Sequence, residues 1–161
     1  MDIRRANRGD QVAIGHLIFP WDRDNGQRYQ RGRGRVSDRE FVAEDADGIA
    51  GWISGHHNAK AWQFLAAYED QPENWICSQI VKFFVHQERR SQDIGGLLLA
   101  EFERDAQDAG CDLVVVTPDD NGEKERLLRF YREHGYEFMD PCSDYSTRPA
   151  WLMTKSLPVL R

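Results

Sequence analysis

The sequence predicts one α/β domain built on a mixed sheet with helices on both faces. The run Ile80–Val85 is too apolar to leave one face in water, which indicates a buried strand. From Ile94 the apolar residues recur with the 3.6-residue spacing of an amphipathic helix, and Leu113–Val116 is a second buried strand. Strand, helix and strand in this order predict a parallel, right-handed βαβ unit.

The N-terminal part predicts a short strand, a short helix and an irregular connection. Ile3–Arg5 is the strand, and Val12, Ile14, Leu17 and Ile18 have helical spacing after Gly9 and Asp10. Pro20–Arg35 interleaves arginine and glycine, a composition typical of an irregular connection. Such a patch also fits a phosphate or an acidic partner, although this is the less favoured interpretation.

A β-hairpin and a long strand follow. Phe41–Glu44 and Ile49–Ser54 have strand composition, and Ala46–Gly48 forms the turn between them. The segment from His57 to Trp75 fits either a short helix or an elaborated loop. Trp75–Val85 is expected to be one long strand, in which the run Ile80–Val85 has both faces buried.

The second half predicts two helices and two closing strands. Gly110 is placed to end the first helix and Gly135 to end the second, which covers about Glu123 to His134. Tyr136–Phe138 and Ala150–Thr154 are the closing strands. The expected core positions of the two helices are Ile94, Leu97, Leu98, Phe102, Ala106 and Ala109 in the first, and Leu127, Leu128 and Tyr131 in the second.

Composition narrows the classes of function. The 161 residues fit one domain, residues 1–161, and a formal charge of −6 argues against a nucleic-acid partner. Cys77, Cys111 and Cys142 have neither CxxC nor Cys/His spacing, so we expect no disulfide framework and no metal site. The first residues are charged and no apolar stretch reaches about 18 residues, so we expect a cytoplasmic protein without a membrane partner.

The turn after the apolar strand is the sharpest local signal. Val85 is followed by a basic turn and then by a helix start that contains Gly95 and Gly96. Free backbone N–H groups and the helix dipole favour an anion there, and phosphate suits the position best. Arg89 and Arg90 would add charge-assisted contacts. An ordinary βα turn with solvated arginines remains the alternative, and neither a Walker loop nor a dinucleotide fingerprint is present.

This region resembles the GNAT superfamily of N-acetyltransferases. The family motif [QR]-x-x-G-x-[GA] is similar to Arg90–Gly95, with Val85 as the apolar strand end, but Asp93 stands where the family usually has glycine. Leu128–Phe138 resembles the later signature, in which Tyr131 precedes Gly135 by four residues. Family members often have Asn where this chain has Glu123, and Asn121 lies nearby.

The resemblance implies a fold, a reaction and a set of site residues. The fold is a mostly antiparallel sheet with a splayed central βαβ unit. The reaction moves an acetyl group from acetyl-CoA, as co-substrate, to a primary amine of a small molecule or protein by direct attack. Tyr131 is the implied general acid, and backbone N–H on the fourth strand polarises the carbonyl. The implied cofactor-binding residues are Phe83, Phe84 and Val85 for pantetheine, and Arg90, Ser91, Gln92, Asp93, Ile94, Gly95, Gly96 and Asn121.

Several points stay open. The base that takes the amine proton is not assigned, and the candidates are Asp119, Asp120, His56, His57 or a water relay. Lys82 is expected to extend its charged end to solvent. The less favoured interpretation is a contact with an anionic group of the substrate. The alternatives to the main function are a non-catalytic CoA-binding module and a transferase for a longer acyl-CoA. Both monomer and homodimer are compatible with the sequence, and the acidic residues Asp119, Asp120, Asp140 and Asp144 suit a cationic acceptor.

Overall fold

The computed structural model describes residues 1–34, 39–57, 76–118, 124–138 and 152–158. The helices and strands are β1 (Asp2–Arg5), α1 (Gln11–Ile18), α2 (Arg23–Gln30), β2 (Glu40–Asp45), β3 (Gly48–His57), β4 (Cys77–Val85), α3 (Ile94–Asp108), β5 (Leu113–Val116), α4 (Lys124–Glu133), β6 (Glu137–Phe138) and β7 (Met153–Ser156). The described strands form one sheet in the order β1-β2-β3-β4-β5-β7-β6. The pairs β1–β2, β2–β3, β5–β7 and β6–β7 are antiparallel, and β4–β5 is parallel. The predicted mixed, mostly antiparallel sheet is therefore confirmed.

The chain divides into two compact units. The first contains Met1–Gly55 with Val81–Asp105, and the second contains His56–Ile80 with Ala106–Arg161. The prediction of a single domain over residues 1–161 stays a prediction.

In the first unit, helices cover both faces of the hairpin β2–β3. Val42 pairs with Trp52 in the ladder, and both side chains pack into a buried cluster with α1 and α2. On the opposite face, a Cβ added to Gly51 would lie 2.7 Å from Leu98 Cδ1 of α3. Because side chains alternate along a strand, one hairpin carries a helix layer on each side, as predicted.

The predicted irregular connection over Pro20–Arg35 is wrong, because Arg23–Gln30 is helix α2. Asp22 caps this helix by accepting a hydrogen bond from Asn25 N. Gly26 of α2 has no room for a side chain, since a Cβ there would lie 2.7 Å from Phe19 Cα. Tyr29 is buried in the core cluster. Residues 23–30 are mostly polar and did not indicate a helix, which is stabilised by the close packing of Gly26 and the burial of Tyr29.

Helix α3 has the predicted extent, and Gly110 follows it with φ +85°. Ile94, Leu98, Phe102 and Ala106 are buried as predicted. Leu97 is 43% exposed, Ala109 is also exposed, and Leu99 is fully buried instead. The spacing alone does not show which side of the apolar stripe faces the sheet.

Strand β4 differs in burial from the prediction. Its first residues are mostly buried, but Val81 is 46% exposed and Phe83–Val85 are only partly buried. The expectation that both faces of Ile80–Val85 are buried is therefore wrong for the second half of the strand. The parallel ladder joins Cys77–Gln79 to Leu113–Val115, and β4 continues to Val85.

In the second unit, β5 is buried throughout and pairs antiparallel with β7. The last strand was predicted at Ala150–Thr154, but β7 begins at Met153 and ends at Ser156. Gly135, with φ +92°, follows α4 as predicted. The other predictions that lie outside the described residues concern the segment 58–75, Asp119, Asp120, Asn121, Glu123, Asp140, Cys142 and Asp144.

No described helix has the length and hydropathy needed to cross a bilayer. Among the same residues, no group of three or more His, Cys, Asp or Glu side chains is placed to hold a metal ion.

Candidate cofactor-binding site

The turn between β4 and α3 has a defined backbone path. A short 3₁₀ segment, Gln87–Gln92, follows the strand, and α3 begins at Ile94. His86 N donates to Ala50 O at 2.7 Å, which fixes the start of the turn to β3. Leu97 N donates to Asp93 O at 3.1 Å, the first bond of the helix ladder. The N–H groups of Ile94, Gly95 and Gly96 are then the helix-start donors that an α-helix itself does not use.

Asp93 has a left-handed backbone, with φ 56° and ψ 24°. It is the only described non-glycine residue with a positive φ. Asp tolerates this conformation better than most residues, whereas glycine adopts it at no steric cost. The position where the GNAT motif usually has glycine therefore retains the backbone shape that favours glycine. The side chain of Asp93 is exposed.

Arg89 of this turn pairs with a carboxylate of the β2–β3 hairpin. Its guanidinium forms an ion pair with Asp45 at the end of β2, and its Nε donates to Gln92 Oε1 at 3.0 Å. The other oxygen of Asp45 accepts from Asp47 N within the hairpin turn. This contact fastens the turn to the hairpin, and the phosphate contact expected from Arg89 stays a prediction.

Arg90 lies at the same turn with different contacts. Its Nε donates to Val85 O at 3.4 Å, and its Cζ lies 5.2 Å from the centre of the Trp21 ring. Trp21 lies between α1 and α2 and is 39% exposed. Trp21 was not predicted as a site residue, since nothing in its local sequence links it to residue 90.

Behind the turn, Phe84 of β4 packs on a buried aromatic group. Its ring stacks on Trp52, with centroids 6.2 Å apart and planes inclined by 13°. Trp52 meets Tyr29 edge-on, and the Tyr29 hydroxyl donates to the buried Glu40 carboxylate at 3.0 Å. Burial, with the nearby Glu40 charge, raises the pKa of Tyr29 well above its usual value, so Tyr29 stays protonated. This group provides firm packing for the half of β4 that precedes the turn.

Lys82 is partly exposed to solvent, as the favoured interpretation expected, and it also pairs with a carboxylate. The less favoured contact with a substrate anion stays a prediction. Its Nζ lies 3.1 Å from Asp22 Oδ2, the capping residue of α2. The pairing places the charge of Lys82 against the α1–α2 corner, defined here as Phe19–Asp22.

Tyr131 belongs to the second unit and is 4% exposed. Its ring meets Phe130 and Tyr136 edge-on, at centroid distances of 5.3 and 5.4 Å. Tyr136 N donates to Tyr131 O at 2.9 Å, which closes the end of α4. Packing therefore fixes the ring of the predicted general acid.

His57 also belongs to the second unit and ends β3. Its Nδ1 lies 2.8 Å from Ser78 Oγ on β4, and Ser78 is fully buried. A hydrogen bond to one ring nitrogen sets the orientation and the tautomer of an imidazole. His57 is half-buried, whereas His56 is exposed. Of the candidate bases, these two histidines lie in the described part of the chain.

The residues at the turn suit a diphosphate chemically. The first turn of α3 supplies N–H donors, Gly95 and Gly96 add no side chain, and Arg90 supplies positive charge nearby. Phe83, Phe84 and Val85 form the strand that leads into this turn. These residues are the ones that would hold the phosphate and pantetheine parts of a CoA thioester.

Comparisons with known proteins show the family of the chain. Residues 37–138 match the sequence profile of the acetyltransferase (GNAT) domain. A sequence search against curated proteins finds no significant match.

Solved structures show the same fold at low sequence identity. Naa20 of Chaetomium thermophilum, in complex with a bisubstrate analogue, is 21% identical over 98% of this chain and 87% of that one, with a TM-score of 0.67. The PaiA N-acetyltransferase of Thermoplasma acidophilum, in complex with coenzyme A, is 13% identical over 97% and 98%, with a TM-score of 0.67. An aminoglycoside 6'-acetyltransferase type Ii is 18% identical over 98% and 99%, with a TM-score of 0.69. The profile match covers more than half of the sequence, and the chain belongs to the GNAT acetyltransferase family.

Proposed function

We propose that this protein is an N-acetyltransferase that moves the acetyl group of acetyl-CoA to a primary amine. The observation that carries the proposal is the turn at residues 90–96 in a member of this family. A left-handed residue at position 93, two glycines and a helix start are combined there with Arg90. This combination suits a bound diphosphate.

Each part of the cofactor has proposed partners. The N–H groups of Ile94, Gly95 and Gly96 bind the diphosphate, with Arg90, Ser91, Gln92 and Asp93 around it. The main chain of Phe83–Val85 pairs with the pantetheine amides as an added strand. Packing of Phe84 against Trp52 holds this part of the strand in place. Asn121, which lies outside the described residues, is a further proposed cofactor contact that rests on the sequence.

Tyr131 is the proposed acid that protonates the leaving thiolate. A phenol with a typical pKa of about 10 stays protonated at neutral pH and donates to a thiolate within hydrogen-bond reach. Edge-on contacts with Phe130 and Tyr136 restrict the ring, which lowers the entropy cost of holding the hydroxyl in place.

His57 is the base candidate that the contacts favour. If Nδ1 donates its hydrogen to Ser78 Oγ, the lone pair lies on Nε2, which is then the proton acceptor. The amine attacks as the neutral base, its proton passes to Nε2 directly or through water, and the thiolate leaves with the proton from Tyr131. His56, the neighbouring and more exposed histidine, provides a matched control.

The acceptor is a primary amine of a small molecule or of a protein. One structural neighbour is an aminoglycoside 6'-acetyltransferase, which supports including an aminoglycoside among the candidate acceptors. The formal charge of −6 suits a cationic acceptor.

A panel of amines, assayed by release of free CoA from acetyl-CoA, tests the proposal. It should include an aminoglycoside, a polyamine and a lysine-containing peptide, with succinyl-CoA as a second donor. Acetyl transfer to any of them supports the enzyme assignment. Transfer from succinyl-CoA alone favours the longer acyl donor, and CoA binding without transfer to any amine favours the non-catalytic module.

Tyr131→Phe and Tyr136→Phe form a matched pair for the acid. Both tyrosines are buried in the same cluster, and each variant loses one hydroxyl. General acid catalysis contributes on the order of 100-fold or more. Tyr131→Phe should lower kcat by that order while Tyr136→Phe stays near the parent. Equal rates for the two variants would remove Tyr131 from the mechanism.

A further inference from the structure

The contact between Trp21 and Arg90 has no role in the proposal above. The guanidinium carbon lies 5.2 Å from the ring centre, within the range of an attractive cation–π contact. The two residues are far apart in sequence, so folding of the α1–α2 corner brings them together. We propose that Trp21 is a positioning residue that holds the Arg90 guanidinium in the orientation required by the cofactor diphosphate.

The corner is itself held firmly, which a positioning role requires. Trp21 N and Asp22 N both donate to Ile18 O, at 2.9 and 2.8 Å. Asp22 caps α2 through Asn25 and pairs with Lys82 on β4 at 3.1 Å. The backbone of Trp21 is therefore held by its own hydrogen bond to Ile18 O and by the ion pair of the next residue, Asp22.

Arg90 is restrained from two directions. The guanidinium carbon lies over the ring of Trp21, and Nε donates to Val85 O at 3.4 Å. A planar guanidinium binds an anion through its edge and an aromatic ring through its face, so the two uses are compatible. Arg89, the neighbouring cation, is bound to Asp45 instead. The structure therefore assigns different roles to two adjacent arginines.

This inference rests on the proposed function, because it concerns the same diphosphate. Removing the aromatic face leaves Arg90 charged but less well oriented. A cation–π contact at a partly exposed site corresponds to about a two- to fivefold change in binding. We therefore expect Trp21→Leu to weaken CoA binding by about two- to fivefold, and Trp21→Phe, which retains an aromatic ring, to weaken it less.

A double-mutant cycle separates positioning from direct contact. Dissociation constants for CoA are measured by isothermal titration for the parent, Trp21→Leu, Arg90→Ala and the double variant. Positioning through Arg90 predicts that Trp21→Leu has no further effect once Arg90 is alanine. If Trp21→Leu weakens binding equally with and without Arg90, the ring contacts the ligand itself and the inference is wrong.

Two further ligands show which phosphate group of CoA Arg90 contacts. Dephospho-CoA keeps the diphosphate but lacks the 3'-phosphate, and pantetheine lacks both. The effect of Trp21→Leu should be the same for CoA and dephospho-CoA and should disappear for pantetheine. An effect limited to CoA would place Arg90 at the 3'-phosphate and overturn the inference. Failure of parent protein to bind CoA would instead contradict the proposed function, so the two failures are distinguishable.

Discussion

The carboxylate of Asp22 lies 3.1 Å from the ammonium group of Lys82, and the same carboxylate caps helix α2. This relationship joins the α1–α2 corner to the strand that leads into the proposed cofactor turn. Burial of Asp22 opposes its ionisation, but the hydrogen bonds from Asn25 and Lys82 outweigh burial and lower the pKa of Asp22. Asp22 is therefore ionised in the folded protein at neutral pH.

The helix cap and the ion pair of Asp22 contribute different amounts to the free energy of unfolding, and substitutions separate them. Asn caps a helix about as well as Asp, so Asp22→Asn should lower the free energy of unfolding by less than about 1 kcal/mol, as expected for a partly exposed ion pair. Asp22→Ala also loses the cap and should cost about 1 to 2 kcal/mol. Urea unfolding measures both, with Lys82→Met as the matched loss of the ion pair. Equal costs for Asn and Ala would show that the cap contributes nothing.

Gly26 should tolerate no side chain. Alanine favours a helix by about 1 kcal/mol over glycine, yet its Cβ would lie 2.7 Å from Phe19 Cα, which is backbone and moves only with the helix. We expect Gly26→Ala to destabilise the protein by about 1 to 3 kcal/mol, the usual cost of overpacking. Gln27→Ala, one residue along and exposed, is the control and should change stability little. A more stable Gly26→Ala protein would contradict the close packing of α1 and α2.

The Asp93 carboxylate should raise the stability of the protein but weaken its binding of CoA. A carboxylate at a helix start stabilises the helix by about 0.3 to 1 kcal/mol but repels a bound diphosphate. Asp93→Asn should therefore tighten CoA binding by about two- to fivefold while lowering stability slightly. Asp93→Gly removes the same charge and suits the left-handed backbone, so it should tighten binding without the loss of stability. Calorimetric titration and thermal unfolding give both quantities. Unchanged CoA binding in both variants would mean that the Asp93 carboxylate is not beside the diphosphate, and weaker binding would mean that it does not repel the ligand.

The pairing of Asp10 with Arg4 should make the free energy of unfolding depend on pH. Arg4 donates to both of its oxygens at 2.8 Å, and these bonds, with that from Asn7 N, lower the pKa of Asp10 despite its burial. A carboxylate with a lowered folded pKa contributes stability above its unfolded pKa of about 3.9, and the contribution is lost as pH falls through the folded value. The difference in unfolding free energy between the parent and Asp10→Asn should be greatest above about pH 4 and shrink below it. If the difference in unfolding free energy stayed constant as the pH fell, it would not come from the ionised Asp10 carboxylate.

Much of the fold followed from patterns of apolar residues. The βαβ unit from β4 to β5 and the hairpin β2–β3 were predicted from runs and turns whose local chemistry matches their structure. Helix α2 was missed because Gly26 and Tyr29 stabilise it through contacts with α1 and the sheet, which a local pattern does not contain. The start of β7 was misplaced by a few residues, as strand ends depend on pairing with β5.

The candidate site was predictable only where its residues are consecutive. The turn from Arg90 to Gly96 was found as a motif, and the left-handed backbone at Asp93 matches the glycine that the motif usually has. The partners of its charged residues were not predictable. Arg89 pairs with Asp45, Arg90 lies over Trp21 and Lys82 pairs with Asp22, and each of these contacts joins residues that are distant in sequence.

The central claim is that the turn opening α3 binds the diphosphate of a CoA thioester. Isothermal titration of the full-length protein with acetyl-CoA tests it most directly, with Arg90→Ala measured in parallel. The account predicts saturable binding of one acetyl-CoA per chain, weakened by about tenfold or more in the variant, as expected for the loss of a charge-assisted hydrogen bond. No heat of binding in the parent at millimolar acetyl-CoA, or equal affinity in the variant, would contradict it.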